Sequence, residues 1–142
     1  MTVKAILDGK GGAVFSMAPR ATIAEVAGEL STRRIGAVLI TEGEAVVGIL
    51  SERDVVRAIA ERGAAALEEP AAQVMTQKVE TCRRDDLIHD VMERMTAARF
   101  RHMPVVEEGR LIGLISIGDV VKHRIEEAER ESDEMRAYIS ST

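Results

Sequence analysis

Hydrophobic residues recur at steps of three and four in two stretches of the chain, 23–33 and 87–98. The positions are Ile23, Val26, Ala27, Leu30, Ile88, Val91, Met92 and Met95. This spacing places them on one face of a helix, so it predicts two amphipathic α-helices. Thr22, followed three residues later by Glu25, predicts a capping box at the start of the first helix.

Each predicted helix is followed by two short hydrophobic runs of the kind found in buried strands. The runs are 37–40 and 46–50 in the first half of the chain, and 103–106 and 111–115 in the second. Glycine-containing turns join the members of each pair. Short extended segments at 14–17 and 79–82 precede the helices, and a closing helix is predicted to begin near Ser51 and again near Ser116. Each half therefore has the order β-α-β-β-α.

The two halves are repeats of each other, separated by the 65 residues between Gly48 and Gly113. VVGILSERDVVRA at 46–58 matches LIGLISIGDVVKH at 111–123. A unit of about 60 residues buries only a marginal fraction of its surface alone, so the two repeats should pack together around a pseudo-twofold axis. The expected fold class is mixed α/β, built from two β-α-β-β-α repeats.

The repeats suggest domain boundaries. We expect repeat 1 with its N-terminal segment over 1–66, a linker at 67–73, repeat 2 over 74–130 and a C-terminal helical extension over 131–142. Residues 71–76 are expected to lead into the second repeat as residues 3–7 lead into the first.

Composition excludes several classes of protein. The 142 residues carry 19 Lys and Arg against 24 Asp and Glu, a net charge of −5, and only three aromatic side chains. Nucleic-acid binding is therefore disfavoured. No hydrophobic run reaches the roughly 18 residues of a membrane span, and no signal-peptide stretch begins the chain. Cys82 is the single cysteine, which fits a reducing compartment, and we expect a cytoplasmic protein.

One motif stands at the strand-to-helix junction of both repeats, with Gly, Ser and Asp at fixed spacing: Gly48, Ser51 and Asp54, then Gly113, Ser116 and Asp119. Helix capping explains the serine and the aspartate, together contributing about 1–2 kcal/mol. Nucleotide binding is the alternative, because a helix N-terminus can hold a phosphate while a carboxylate binds ribose hydroxyls. A strand glycine often marks close approach of a ligand or of other backbone. Both interpretations stay open on the residues alone.

The duplication, the β-α-β-β-α order and the repeated motif resemble a tandem pair of CBS domains, often called a Bateman module. RIGAVLIT at 34–41 and FRHMPVVE at 100–107 are similar to the central strand of that family. The resemblance covers nearly the whole chain and implies a stand-alone CBS protein of bacterial or archaeal type. It implies binding of an adenine nucleotide, AMP, ADP or ATP, with NAD(H) as a rival.

The resemblance also implies two clefts between the repeats, each built from both halves, in which Asp54 and Asp119 bind ribose hydroxyls. In the first cleft, Ser116 and Asp119 would face Ser16, Met17, Ile35, Gly36, Ala37 and Val38. In the second, Ser51, Arg53 and Asp54 would face Thr81, Cys82, Phe100, Arg101, His102, Met103 and Pro104.

The clefts are expected to differ in charge. Arg53, Arg101 and His102 are assigned to the second cleft, whereas the matching positions of the first are Gly118, Gly36 and Ala37. The second cleft should therefore prefer ligands with more phosphate. Solvated surface is an equal interpretation for both arginines, and His102 also fits a partly buried histidine.

Nothing in the sequence groups residues for catalysis or metal binding. His89, His102, His123 and Cys82 lie on different predicted elements without metal-ligand spacing. Glycines 9, 11 and 12 predict a loop with no Walker signature. Cys82 is expected to pack as a small apolar residue. We expect no enzyme and no metal, with a nucleotide-processing enzyme as the alternative.

The last helix is predicted to run past the repeat, with Val121, Ile125, Ala128, Met135 and Ile139 at alternating steps of four and three, interrupted by polar Ser132. It is either a solvated helix packed on its own domain or a helix lying against a partner subunit. We expect a homodimer held by helices such as 23–33 and 87–98. Ligand binding would reorient the repeats, and an unknown regulated protein would respond. A structural dimerisation module with empty clefts is the remaining alternative.

Overall fold

Both repeats fold in the predicted order in a computed structural model that describes residues 1–141; Thr142, the end of the predicted extension, lies outside the described residues. The first half contains α1 (Val3–Lys10), β1 (Ser16–Met17), α2 (Ile23–Arg33), β2 (Ala37–Glu42), β3 (Ala45–Ser51) and α3 (Glu52–Arg62). A 3-10 helix (Gly63–Glu68) and α4 (Ala71–Val74) connect it to the second half. That half contains α5 (Ile88–Ala98), β4 (His102–Glu107), β5 (Arg110–Ser116) and α6 (Ile117–Ser140).

The two sheets share one hydrogen-bonding pattern. β2 pairs antiparallel with β3, and β4 pairs antiparallel with β5. The register is equivalent in the two hairpins, including an irregularity after Ile40 and after Val105. β1 extends the first sheet parallel to β2, whereas its counterpart in the second repeat is a single parallel bridge from Cys82 to Val105. The predicted strand at 79–82 is therefore much shorter than expected.

Helix ends follow local sequence signals. The predicted capping box at Thr22 and Glu25 is confirmed, with the Glu25 N–H donating to Thr22 Oγ1 at 3.2 Å. Arg34 and Arg99 are equivalent residues that end α2 and α5 in the left-handed conformation, with φ of 55° and 58°. Their presence in both repeats coincides with this shared backbone geometry.

Hydrophobic residues form two cores, and the segment that precedes each repeat packs into the core of the other. Val3, Ile6 and Leu7 of α1 join the core of the second repeat. Ala71 of α4 joins the core of the first. Residues 3–7 and 71–76, expected to lead into the first and second repeats, thus pack in the opposite core, although the second family match begins at residue 71. Burying these side chains in the opposite core ties the two repeats together.

This exchange explains the glycine of the duplicated motif. A Cβ on Gly113 would lie 2.6 Å from Leu7 Cδ2, and one on Gly48 would clash with the Met75 side chain and lie 3.1 Å from the Thr76 carbonyl. The glycines therefore leave room for the side chains and backbone of the exchanged segments to lie close to β3 and β5. No helix within residues 1–141 combines the length and hydrophobicity needed to cross a membrane.

Candidate functional site

A cleft of about 650 Å³ lies between the two repeats, within the range of about 300–1,000 Å³ typical of small-molecule sites. The first repeat and the segment before it contribute most of its walls, and β4 and β5 contribute the rest. It is lined by Lys10, Ala13, Val14, Phe15, Arg33, Arg34, Ile35, Gly36, Ala37, His102, Leu114 and Ser116. The structure thus brings Ser116 of repeat 2 together with Ile35, Gly36 and Ala37 of repeat 1.

Ser116 and Asp119 begin helix α6 beside this cleft as a reciprocal capping box. The Asp119 N–H donates to Ser116 Oγ at 3.1 Å, and the Ser116 N–H donates to Asp119 Oδ2 at 2.8 Å. The capping interpretation of the motif is therefore confirmed here. Within residues 1–141, Asp119 Oδ1 accepts no hydrogen bond, and a quarter of the side chain is exposed. This oxygen leaves the carboxylate able to accept from a ligand.

Lys10, at the end of α1, reaches the same carboxylate. Its Nζ lies 2.6 Å from Asp119 Oδ2, and both side chains are partly exposed. Partial burial raises the pKa of Asp119, but the hydrogen bonds from Lys10 and from Ser116 outweigh it, so the pKa is lower than usual. Asp119 is thus a carboxylate at neutral pH, with the Lys10 ammonium beside it.

His102 lies at the junction of the repeats, where β4 of repeat 2 approaches Gly36 of repeat 1. A Cβ on Gly36 would be 3.4 Å from the His102 Cε1 atom. Burial lowers the pKa of His102, and the positive charge of Lys10 adds to this effect. His102 is therefore neutral at pH 7 and lines the first cleft, not the second one to which it was assigned.

The expectation that the first cleft lacks cations is wrong. Lys10, Arg33 and Arg34 all line it. Arg33 lies over the Phe15 ring, with Cζ 3.6 Å from the centroid, and its Nε donates to Glu29 at 2.8 Å. Lys10 and Arg33 lie at the ends of α1 and α2, away from the positions compared between the two repeats.

Ser51 and Asp54 form the equivalent capping box of α3, but their surroundings differ. Asp54 Oδ2 accepts from the Ser51 N–H at 2.9 Å, and Oδ1 from Arg57 at 3.4 Å. Its side chain is only 10% exposed. The cavity beside it measures about 160 Å³ and is bounded by α3 residues with Gln73 and Val74. That cavity does not include Thr81, Phe100 or the other side chains predicted for a second cleft.

Several predicted site residues are part of the protein core. Their side chains are buried; these residues are Val38, Cys82, Met103 and Pro104. Phe100 packs against the second core and Met17 against the first. Burial raises the pKa of the Cys82 thiol to about 12, so this thiol stays protonated. The buried side chains of Val38, Cys82, Met103 and Pro104 leave mainly their backbone for contact with a ligand.

The remaining predicted residues lie outside the large cleft. The Ser16 hydroxyl accepts a hydrogen bond from Thr41 at 3.1 Å, and the cleft is lined by residues 13–15 instead. Arg53, Thr81 and Arg101 are exposed and line neither described cavity. The Arg101 carbonyl accepts from the Ile117 N–H at 2.8 Å, as the Gly36 carbonyl does from Glu52 at 3.0 Å. Among residues 1–141 no group of three His, Cys, Asp or Glu side chains could hold a metal ion.

Sequence reasoning missed Lys10, Phe15 and Arg33 as cleft residues. Lys10 lies before the repeats and reaches the cleft only because α1 crosses to repeat 2. Phe15 is adjacent to the predicted Ser16 and could have been found by extending that segment. Arg33, at the end of a predicted helix, carried no local signal.

Comparison with known proteins agrees with this arrangement. The CBS-domain family matches residues 13–61 and 71–126. The crystal structure of a CBS-domain containing protein from Agrobacterium tumefaciens is 47% identical, with a TM-score of 0.85 over 87% of this chain and 99% of that one. A CBS domain protein from Pyrobaculum aerophilum, solved in complex with AMP, is 32% identical, with a TM-score of 0.75 over 84% and 89%.

A curated relative, the mitochondrial CBS domain-containing protein CBSX3 of Arabidopsis thaliana, is 31% identical over 123 residues. The match covers 83% of this chain but 60% of that relative. Two family matches along one chain, the equivalent hairpin registers and the cleft between the repeats lead to one conclusion: the chain belongs to the CBS-domain family and contains a tandem pair of CBS domains.

Proposed function

We propose that the chain is a regulatory module that binds one adenine nucleotide in the cleft between its repeats. The observation that carries this proposal is the meeting of Ser116 and Asp119 with the 35–37 backbone across a cleft of about 650 Å³. The AMP complex of the related Pyrobaculum aerophilum protein supports the ligand class. AMP, ADP and ATP are the first candidates, and NAD(H) is the rival.

The chemistry of the cleft suits the three parts of a nucleotide. Val14, Phe15, Ile35 and Leu114 offer apolar surface for a base. Asp119 can accept from two ribose hydroxyls, and charge-assisted hydrogen bonds of this kind are strong. Lys10 and Arg34 supply positive charge for phosphate. Binding, not catalysis, is the function that this arrangement supports.

Titration calorimetry with AMP, ADP, ATP, NAD and NADH tests the proposal, with Asp119→Ala as the key variant. We expect at least one of these nucleotides to bind, and Asp119→Ala to weaken it tenfold or more. Asp54→Ala is the matched control, because it removes the equivalent capping aspartate outside the large cleft. Equal binding by Asp119→Ala and wild type would overturn the site assignment.

Two alternatives give different results. Absence of binding across the panel would favour a structural dimerisation module. Turnover of bound ATP or NAD by the pure protein would favour an enzyme. Mass spectrometry of ligand retained through purification identifies the nucleotide without assuming one.

We also propose a homodimer, although its surface differs from the predicted one. Helices α2 and α5 direct their hydrophobic stripes into their own cores. Exposed large hydrophobic side chains on α3 and α6 include Val56, Ile59, Val121 and Ile125, and Leu87 is exposed at the N-cap of α5. A contact through α3 and α6 would cover the side chains on those two helices. A regulated protein partner and a cytoplasmic location stay predictions from the sequence.

A further inference from the structure

Helix α6 continues far beyond the body of the protein. Val120 is buried, and His123 and Glu127 are half-buried, so this face of the first turns packs on the second repeat. From residue 128 to 141 every residue is exposed. Burial of α6 on its own domain therefore ends at Glu127, and Arg130 still contacts Met1 Sδ. We call residues 121–139, which start on the packed turns of α6 and extend beyond them, the arm.

The arm presents a hydrophobic stripe on a face that does not contact the body. Val121, Ile125 and Met135 are 45%, 54% and 60% exposed. With Ala128, Ser132 and Ile139 they follow alternating steps of four and three, the repeat of a two-stranded coiled coil. In that repeat Ile125, Ser132 and Ile139 take position a, and Val121, Ala128 and Met135 take position d.

We propose that the arm pairs with the arm of a second copy of this chain as a parallel, in-register coiled coil. This inference deepens the proposed homodimer by giving its orientation. The charges that flank the stripe identify the occupant. Position g holds Arg124 and Glu131, and position e of the following heptad holds Glu129 and Arg136.

In a parallel pair each g residue lies beside the e residue five positions later in the partner. Arg124 would then meet Glu129, and Glu131 would meet Arg136. Both pairs have opposite charges, and the twofold axis doubles them to four. A different protein would need its own complementary pattern, whereas a second copy has it already.

The antiparallel arrangement that overlaps the whole arm gives the opposite result. When Ile125 is opposed to Met135, the flanking positions bring Glu129 against Glu129 and Glu131 against Glu131. Lys122 would lie against Arg136, so every charged pair is repulsive. Antiparallel registers shifted by one layer bring opposite charges together but overlap over fewer layers of the stripe, so charge and overlap together favour the parallel pair.

The arm is short for an independent coiled coil. Its 19 residues extend about 28 Å and complete fewer than three heptads. Ser132 at position a also weakens the apolar core of the coiled coil. It favours the register in which Ser132 faces Ser132 of the second copy. The arm therefore acts together with the exposed residues of α3 and the start of α6, which bring two arms to high effective concentration.

A cysteine substitution tests the register directly. In the parallel pair the two copies of residue 132 face each other at an a layer, so Ser132→Cys should form an intermolecular disulfide quickly in a glutathione redox buffer. Asp133→Cys is the matched control, because position b points away from the partner. Native Cys82 is buried and does not interfere. Equal crosslinking of the two variants would overturn the parallel register.

Charge reversal tests the recognition. Glu131→Lys should weaken the dimer about tenfold in sedimentation equilibrium at low salt, and adding Arg136→Glu should restore it. Glu134→Lys makes the same change in net charge at position c and should leave the dimer unchanged. Equal effects of Glu131→Lys and Glu134→Lys would overturn the pairing.

These outcomes separate the arm from the rest of the dimer. A stable dimer whose Ser132→Cys variant fails to crosslink disproves the arm pairing and leaves a homodimer through α3 and α6. A monomer at tens of micromolar disproves both. Nucleotide titration of the same samples reports on the cleft independently of either result.

Discussion

At the scale of single residues, an ion pair joins Lys10 and Asp119, two side chains that we assign to different parts of the ligand. The lysine ammonium occupies one oxygen of the carboxylate that we assign to the ribose. A ribose would have to compete with Lys10 for this oxygen of Asp119, whereas a phosphate would give Lys10 another negative partner. The ion pair is partly exposed, so breaking it costs only about 0.2–1 kcal/mol.

Lys10→Met should therefore act in opposite directions on two ligands. Adenosine should bind about 2–5-fold more tightly, because Asp119 is released from its partner. AMP should lose this advantage because it loses a cation, and the ratio of AMP to adenosine affinity should fall about tenfold. Titration calorimetry at two salt concentrations measures both. An unchanged ratio would remove Lys10 from the phosphate end of the site.

His102 gives a pH dependence with a defined sign. Burial and Lys10 lower its pKa in the folded state, so the unfolded chain binds a proton at a higher pH than the folded one. Stability is therefore complete above the ordinary histidine pKa of about 6.5 and is lost as the pH falls toward the lowered value. In urea unfolding, wild type should lose more stability between pH 7.5 and 5 than His102→Gln. An equal loss would show that His102 does not titrate differently on folding.

At the scale of elements, the exchange of α1 and α4 between repeats is what the sequence could not predict. Periodicity predicts α2, α5 and the two hairpins because their spacing is local. It does not specify which core a hydrophobic segment enters, since Leu7 satisfies either one equally well on pattern alone. The strand glycines Gly48 and Gly113 did signal a close approach, but only the structure identifies what approaches them.

The crossing of α1 can be tested with a double-mutant cycle. Gly113→Ala should destabilise the protein by about 1–3 kcal/mol, because the new methyl group overlaps the Leu7 side chain. Leu7→Ala creates space, so the double variant should be less destabilised than the sum of the two single variants by about 1 kcal/mol. Urea unfolding gives all four values. Simple additivity would contradict the contact.

Gly28→Ala is the control for this cycle. Gly28 lies on the exposed side of α2, and a Cβ there meets nothing within 4 Å. Alanine is favoured over glycine in a helix by about 0.5–1 kcal/mol, so this variant should be more stable than wild type. A destabilised Gly28→Ala would mean that glycine replacement itself, not overlap with Leu7, lowers stability.

The site was predicted less completely than the elements were. Ser116, Asp119 and the 35–37 backbone lie at or beside the cleft, since the duplicated motif marks a strand-to-helix junction. The second predicted set did not assemble in the same way, because Arg57 and burial hold Asp54, and because Met103 faces the second core while Pro104 is buried in β4. Equivalent sequence positions thus acquired different surroundings through their neighbours.

At the scale of the whole molecule, one helix joins the cleft to the proposed dimer. α6 begins at the Ser116 and Asp119 capping box, beside the cleft, and ends in the arm. A ligand that bridges Asp119 and repeat 1 fixes the first turn of α6 relative to both repeats. Ordering this helix in the single chain removes part of the entropy loss that pairing of the arms would otherwise incur.

Nucleotide binding should therefore strengthen the dimer. Couplings between sites typically amount to about 1–3 kcal/mol, so we expect the dimer dissociation constant to fall about 5- to 150-fold at saturating ligand. Because a dimer binds two ligands, reciprocity requires it to bind each nucleotide more tightly than the monomer does by the square root of that factor, about 2- to 12-fold. Sedimentation equilibrium with and without ligand measures the first quantity, and titration calorimetry below and above the dimer dissociation constant measures the second.

Asp119→Ala should retain the ligand-free dimer and lose the response to nucleotide, because α6 and its arm are intact while the link to the ligand is gone. Glu131→Lys should show the converse, with nearly normal nucleotide binding by a weakened dimer. If saturating nucleotide leaves the dimer dissociation constant of wild type unchanged, α6 does not transmit binding to assembly. A signal to a regulated protein would then have to arise from the relative orientation of the repeats alone.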